Sequence, residues 1–375
     1  MNSSTIDSSA RDSRPKSGLA RHLPSTDWLS KNDGPRLAFC AYPAEHPWLH
    51  LLISHGFSEH HGWWHHVAEG FRAAGISTYT FDHYHHGVSE GAPGDVRDYG
   101  ELVRGLRLAL DDGVMPHVKN NTPIAVLGHS NGGLALLHLL HDLPEGQVSA
   151  VVLSNPLLAM QKKITWYAFP LARLLHLVWP GMMVPTPSFA PMLTSDRRLW
   201  REYRRDPLRF HRSSVQFFYE IFLAARTAFE TASCKELPLL LLWGGRDVVV
   251  ERRATLDWFD RVISPKKQRI DFPKLRHELF QEPVWPDIIN STVAWLREQA
   301  KGQTKTAEKT TENKAKPSAR KTPAKSSSGG KSKMKPMAKT VHKTSGGQAE
   351  KPPKKPSVRS KKDSRKRPVR RTKTA

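Results

Sequence analysis

The stretch Gly128-His129-Ser130-Asn131-Gly132 decides the fold, because of what stands on either side of it. Residues 124–127, Ile-Ala-Val-Leu, form a short apolar run of the kind that makes a buried strand. Residues 132–141 follow with leucines at helical spacing. Glycines two places before and two places after Ser130 let the chain turn sharply from strand to helix. The serine side chain then stands exposed above the sheet, as a nucleophile elbow requires.

Working outward, further apolar runs at residues 49–54, 76–81, 150–153 and 239–243 read as buried parallel strands. Between them, residues 64–74, 99–110, 132–141 and 255–261 carry helical periodicity, and residues 284–299 close the set. This alternation predicts an α/β fold with a mostly parallel sheet and helices on both faces. The rhythm breaks at about residues 157–235, where Pro, Trp, Met and Arg are frequent, and an inserted, mainly helical cap is expected there.

A serine hydroxyl needs a base to take its proton and a carboxylate to orient that base, here in the chain order serine, acid, histidine. Asp247 lies in Gly244-Gly245-Arg246-Asp247, directly after the run 239–243, so it is expected on a loop at a strand's carboxyl end. His277 follows before the final helical segment. Either residue alone is unremarkable, since aspartates in glycine turns and loop histidines are common; the joint placement favours a catalytic reading. The oxyanion formed in acyl transfer needs donors, for which the backbone N–H groups of Asn131 and Phe57 are the candidates.

The chain has 375 residues and a formal charge of +23, from 58 Lys and Arg against 35 Asp and Glu. Residues 301–375 hold 25 basic and 4 acidic residues, a net of +21, leaving 33 against 31 upstream, a net of +2. A near-neutral domain therefore carries a cationic tail. That tail contains no Phe, Trp, Tyr, Leu or Ile, so it cannot bury enough apolar surface to offset its ordering entropy, and disorder is expected. The resulting division is an N-terminal extension 1–35, one domain 36–300 and the tail 301–375. Two cysteines, Cys40 and Cys234, make no disulfide framework and suit a cytoplasmic setting. The N-terminus lacks a secretory apolar core. Residues 164–185, the most apolar long stretch, are interrupted by Pro170, Arg173, His176 and Pro180, which argues against a membrane span.

The motifs resemble those of the monoacylglycerol lipase and lysophospholipase group of serine hydrolases, also called serine aminopeptidase-type α/β-hydrolases. His55-Gly56-Phe57-Ser58-Glu59-His60 is similar to that family's His-Gly-x-x-Glu-His. Asp82 to Gly91 is similar to Asp-x-x-Gly-His-Gly-x-Ser-x-Gly, with His85 in place of the first glycine. Gly128 to Gly133, the loop at Asp247 and His277-Glu278-Leu279 match its remaining motifs, and the resemblance spans residues 36–299. It implies an α/β-hydrolase fold and a lipid ester substrate. It also implies an apolar lid, for which Trp166, Tyr167, Phe169, Leu171, Leu174, Leu175, Leu177, Val178 and Trp179 supply material. Lys162, Lys163 and Arg173 flank that material, as peripheral contact with an anionic membrane requires. Packing of the cap onto the core would use the same apolar residues.

Eight histidines fall between His55 and His86, and His83-Tyr84-His85 beside Asp82 has the spacing of zinc ligands. The family motifs account for His55, His60 and His86 without metal, so no metal and no cofactor are expected. The leading reading is a serine esterase with Ser130 as nucleophile, His277 as base and Asp247 as its orienting acid. An aminopeptidase is the alternative within enzymes, in which Glu202 or Glu220 captures the substrate's amine. The alternative from another class is a polyanion-binding protein whose tail neutralises nucleic acid or polyphosphate without reading sequence, since it has no aromatic side chains for base stacking. The sequence sets neither the acyl length nor the oligomeric state.

Overall fold

The computed structural model describes residues 26–186, 190–234 and 237–315, without the side chains of 162–168 and 301–315. The chain opens with β1 (Asp27–Leu29), β2 (Leu37–Tyr42) and β3 (Leu49–Ser54), followed by α1 (His65–Ala73), β4 (Ile76–Phe81) and α2 (Gly100–Leu108). The elbow joins β5 (Ile124–His129) to α3 (Asn131–Asp142), and β6 (Ala150–Ser154) comes next. An insertion then carries α4 (Lys162–Val178), β7 (Met183–Pro185), α5 (Ala190–Leu193), α6 (Arg197–Arg205), β8 (Arg212–Ser214) and α7 (Val215–Thr231). β9 (Leu239–Gly244), α8 (Arg252–Arg261), β10 (Lys267–Phe272) and α9 (Trp285–Ala315) complete the order.

Among the described residues, eight strands form one sheet in the order β1-β2-β4-β3-β5-β6-β9-β10. β2 pairs antiparallel with β1 and β4, and the pairs from β4 to β10 are parallel. Successive strand residues point to opposite faces, so one strand feeds two cores. In β3, Leu49, Leu51 and Ile53 pack with Trp64, Phe71 and the α9 residues Ile288 and Ile289, while Leu52 joins Leu102 and Leu134 on the other side. Burial on both faces is why these strands read as continuous apolar runs. Close packing holds the last helix in place: a Cβ at Gly70 would lie 2.6 Å from Ile289 Cδ1. Removing the Ile289 side chain beyond Cβ is expected to cost about 2–5 kcal/mol.

The structure departs from the sequence reading in five places, the first being β2, a buried apolar strand absent from the runs read as strands. β1 falls inside the stretch assigned to the N-terminal extension, where a lone Asp-Trp-Leu gives no strand signal. β10, Lys-Gln-Arg-Ile-Asp-Phe, is an edge strand with mostly exposed side chains, so its sequence is polar where the buried strands are apolar. The cap, expected to be mainly helical, also contains the antiparallel pair β7–β8. Finally, α9 passes the expected boundary at residue 300 and runs to Ala315. Residues 301–315 combine Lys, Ala and Glu, good helix formers, with Thr, and the first proline after residue 300 is Pro317. Residues 1–25, the tail from 316 onward, and the side chains of Lys162, Lys163, Trp166 and Tyr167 lie outside the described residues.

Candidate active site

Ser130 sits between β5 and α3 at φ +50°, ψ −118°, a conformation that costs of order 1–3 kcal/mol and persists only where the surroundings enforce it. They do so here by close approach. A Cβ at Gly132 would stand 2.3 Å from the carbonyl oxygens of Ser54 and His55, and one at Gly128 would stand 2.6 Å from the Gly133 Cα. Only hydrogen fits at either flank. The Ser130 N–H donates to the Ser154 carbonyl at 3.0 Å, and its own carbonyl accepts from Leu134 and Leu157.

His277 and Asp247 come from separate loops after β10 and β9. The Ser130 hydroxyl lies 2.9 Å from His277 Nε2, and His277 Nδ1 donates to Asp247 Oδ2 at 2.7 Å. The other oxygen of Asp247 accepts from the N–H groups of Val249 at 2.7 Å and Val250 at 3.0 Å. With Nδ1 committed to the carboxylate, Nε2 is free to accept the serine proton. Burial pushes the His277 imidazole down, but Asp247, Glu278 and Glu59 outweigh it and raise its pKa above the ordinary value. The negative charges of Asp247 and Glu59 favour an imidazolium at His277.

Asn131 begins α3, and among the described residues neither its N–H nor that of Phe57 meets an acceptor. Gly56 brings the second donor close, since a Cβ there would lie 3.2 Å from Ser130 Cβ. The Phe57 ring turns away into the cap and packs on Phe210 and Phe217, with centroids 5.0 and 5.4 Å apart.

The eight histidines disperse. Asp82 accepts from His61 N at 2.6 Å, His61 Nδ1 at 2.8 Å and Val88 N at 2.8 Å, which uses its carboxylate on the backbone turn. His83 Nε2 meets Ser54 Oγ at 2.9 Å, His60 Nε2 meets Asp206 at 2.8 Å, and His66 Nε2 donates to the Phe280 carbonyl at 2.9 Å. His85, standing where the family motif has glycine, adopts φ +64° and is held by Glu101 at 2.7 Å. Among the described residues no three His, Cys, Asp or Glu side chains converge as a metal site.

Three contributions went unread in the sequence. Asn155 (φ +42°) donates from Nδ2 to the His277 carbonyl at 2.6 Å and accepts the Gly244 N–H at 2.9 Å, tying the acid loop to the histidine loop. Its only sequence signal is a polar residue at a strand's carboxyl end. Glu59 accepts from Gly56 N and Trp64 Nε1, both at 3.0 Å, and so fixes the turn before Phe57. Glu278, next to His277, accepts from the Tyr203 hydroxyl in the cap. The last two stood inside recognised motifs without an assigned role.

A family model described as "Serine aminopeptidase, S33" matches residues 45–284. The chain is 29% identical over 247 residues to a monoacylglycerol lipase of Mycolicibacterium smegmatis, covering 66% of this chain and 87% of that one. It is 26% identical over 258 residues to the phospholipase YtpA of Bacillus subtilis, covering 68% and 97%. Among solved structures, a monoglyceride lipase of Saccharomyces cerevisiae superposes with a TM-score of 0.67 at 19% identity, over 74% of this chain and 96% of that one. The Paleococcus ferrophilus monoacylglycerol lipase gives 0.63 at 24%, over 70% and 99%.

Proposed function

The chain belongs to the serine aminopeptidase S33 family of hydrolases, and from that premise we propose that it is a serine esterase acting on the carboxylic ester of a lipid such as a monoacylglycerol or lysophospholipid. The observation that carries this reading is His277 bridging the Ser130 hydroxyl at 2.9 Å and the Asp247 carboxylate at 2.7 Å. Ser130 Oγ attacks the ester carbonyl as His277 Nε2 takes its proton. The tetrahedral oxyanion meets the N–H groups of Asn131 and Phe57. Collapse expels the alcohol, which takes the proton from His277 and leaves an acyl group on Ser130. Water, deprotonated by the same imidazole, then releases the acid and restores the enzyme. Asp247 holds the imidazole in the required tautomer throughout.

Two features support a lipid acyl group. A cavity of about 340 Å³ is lined mainly by apolar side chains, among them Leu157, Met160, Ile221 and Phe229, with Arg226 and Glu251 also in its wall. Leu157, at one side of it, donates its N–H to the Ser130 backbone carbonyl at 3.0 Å. In the cap, α4 and the residue after it expose Leu174, Leu177, Val178 and Trp179, the last three at 74%, 77% and 64%. An apolar ridge of this kind suits peripheral contact with a lipid surface. Among the described residues no helix is long and apolar enough to cross a membrane. Cys40 and Cys234 are free and buried, which is compatible with a cytoplasmic enzyme that meets its membrane from that side.

The aminopeptidase reading needs an acid that captures a substrate amine. Glu220 accepts from Tyr99 N at 3.2 Å and Gln216 Nε2 at 3.1 Å, so it is engaged in joining the cap to the core. The two readings separate by comparing fatty acid release from a monoacylglycerol with amino acid release from an aminoacyl amide. A fluorophosphonate probe should label the wild-type chain and leave Ser130→Ala unlabelled; equal labelling of both would remove Ser130 from the mechanism.

A further inference from the structure

Arg209 lies in the cap between α6 and β8, yet its side chain is only 3% exposed. The guanidinium sits 4.4 Å from the Tyr203 ring centroid and 5.7 Å from that of Trp63, and Nη2 is 3.8 Å from Glu278 Oε1. Tyr203 donates its hydroxyl to the other oxygen of Glu278. One cap element thus grips the residue that follows His277.

The same segment grips the oxyanion loop. Ser58 Oγ donates to the Phe210 carbonyl at 2.6 Å, and His60 Nε2 meets Asp206 Oδ2 at 2.8 Å. Glu59, between these residues, holds the Gly56 N–H at 3.0 Å. Burial pushes the Glu59 carboxyl up, but His129, Arg209 and His55 outweigh it and leave it low, at about 2. Burial and the Glu59 charge push Glu278 the other way, to about 8, against the pull of Arg209. Arg209 pulls both buried carboxyls toward their charged forms, and a buried carboxylate without its cation is strongly unfavourable.

We propose that Arg209 is a positioning residue for the reaction: through Glu59 and Glu278 it fixes the distance between the Phe57 N–H and His277 Nε2, the two groups that must act on one carbonyl. This rests on the ester-hydrolase reading above. The two groups belong to loops more than 200 residues apart in sequence; the cap guanidinium lies 3.8 Å from the Glu278 carboxyl and acts on Glu59 through its charge, without a contact. Nη1 has no acceptor among the described residues, so the guanidinium is not spent on ordinary backbone capping. Oxyanion and base misplaced relative to each other by about 1 Å can lose roughly a hundredfold in rate.

The test measures kcat and KM of the full chain on a soluble p-nitrophenyl acyl ester, beside thermal melting, for Arg209→Met and Arg209→Lys. Arg209→Met should lose roughly tenfold or more in kcat with KM within about twofold, because positioning acts on the transition state and not on ground-state binding. Arg209→Lys keeps the charge but not the fork, and should fall between Arg209→Met and wild type at unchanged KM. If Arg209→Met fails to fold, Arg209→Lys decides alone: kcat reduced several-fold at constant KM supports the proposal. Wild-type kcat in Arg209→Lys, or a change confined to KM in either variant, overturns it. Fluorophosphonate labelling of the wild type runs alongside: a wild type that neither labels nor turns over ester overturns the hydrolase reading itself, and Arg209's role with it.

Discussion

Asn155 Nδ2 donates to the carbonyl oxygen of His277 at 2.6 Å, while Oδ1 of the same side chain accepts the Gly244 N–H at 2.9 Å. One amide therefore spaces the loop that carries the base from the strand end that leads to Asp247. Asn155→Ala leaves a buried N–H and a buried carbonyl unpaired and should cost about 1–3 kcal/mol in urea unfolding. Asn155→Asp keeps the Gly244 bond but sets a carboxylate against the His277 carbonyl. Ester turnover in the aspartate variant should fall further than its stability does; full activity in either variant would show that the His277 loop holds its place without this amide.

Ser130→Ala and His277→Ala should each abolish ester hydrolysis with melting curves close to wild type, and the double variant should be no worse than either single one. Residues that act as a unit lose their effect together. Asp247→Asn keeps the Val249 and Val250 contacts within reach but replaces the anion that orients His277. It is expected to lose roughly 10⁴-fold in kcat, as removal of a triad carboxylate does elsewhere. Additive losses on a p-nitrophenyl ester would mean that the three side chains do not work as one system.

Stability should fall on mild acidification. Burial lowers the pKa of His55 and His83 well below 6.5, and of His86 and His129 to about 4. The unfolded chain binds protons at these positions as pH drops through about 6.5, while the folded chain refuses them. Native stability is therefore lost as pH falls from about 6.5 toward 4, at up to about 1.4 kcal/mol per pH unit for each histidine. His277 works in the opposite sense: its raised pKa adds stability below its unfolded pKa and withdraws it as pH rises. Asp82, held low because His61 and its neighbours outweigh the upward push of burial, contributes above about 4 and loses that contribution only in stronger acid. Urea midpoints at pH 7.5, 6 and 5 should decline in that order, and His83→Gln should flatten the slope. A midpoint independent of pH across that range would contradict the buried neutral histidines.

Much of what the sequence disclosed followed burial, although β2, as buried as its neighbours, went unread. β3, β5, β6 and β9 lie between two layers of helices, so their residues are apolar on both faces and visible as runs. β10 lies at the edge and takes Lys267, Gln268 and Arg269, which no apolar pattern distinguishes from a loop. The meeting of Ser130, Asp247 and His277 was legible because the elbow forces glycines beside the serine and the sheet fixes the order of the other two. Arg209 was not, since a cap arginine among Arg204, Arg205 and Arg212 looks like solvated charge until the fold buries it. Asn155 was hidden for the reverse reason: a polar residue after a strand is the ordinary way to begin a turn.

The basic tail should localise the enzyme without entering its chemistry. Residues 318–375 hold 20 Lys and Arg against 2 Asp and Glu, a net of +18. Because α9 runs to Ala315, the cut that spares the helix falls after Pro317 and not at residue 300. The truncated chain 1–317 should keep its turnover of a soluble short-chain ester. It should also lose retention on DNA or on anionic vesicles at low salt, whereas the full chain's affinity falls steeply as salt rises and counterions are no longer released at a gain. Exposed Leu177 and Trp179 supply the apolar part of any vesicle contact, so Leu177→Glu in the full chain should weaken binding to neutral vesicles while leaving DNA binding intact. Retention of the truncated chain on DNA equal to that of the full chain, or loss of its soluble-ester turnover, would refute localisation by the tail.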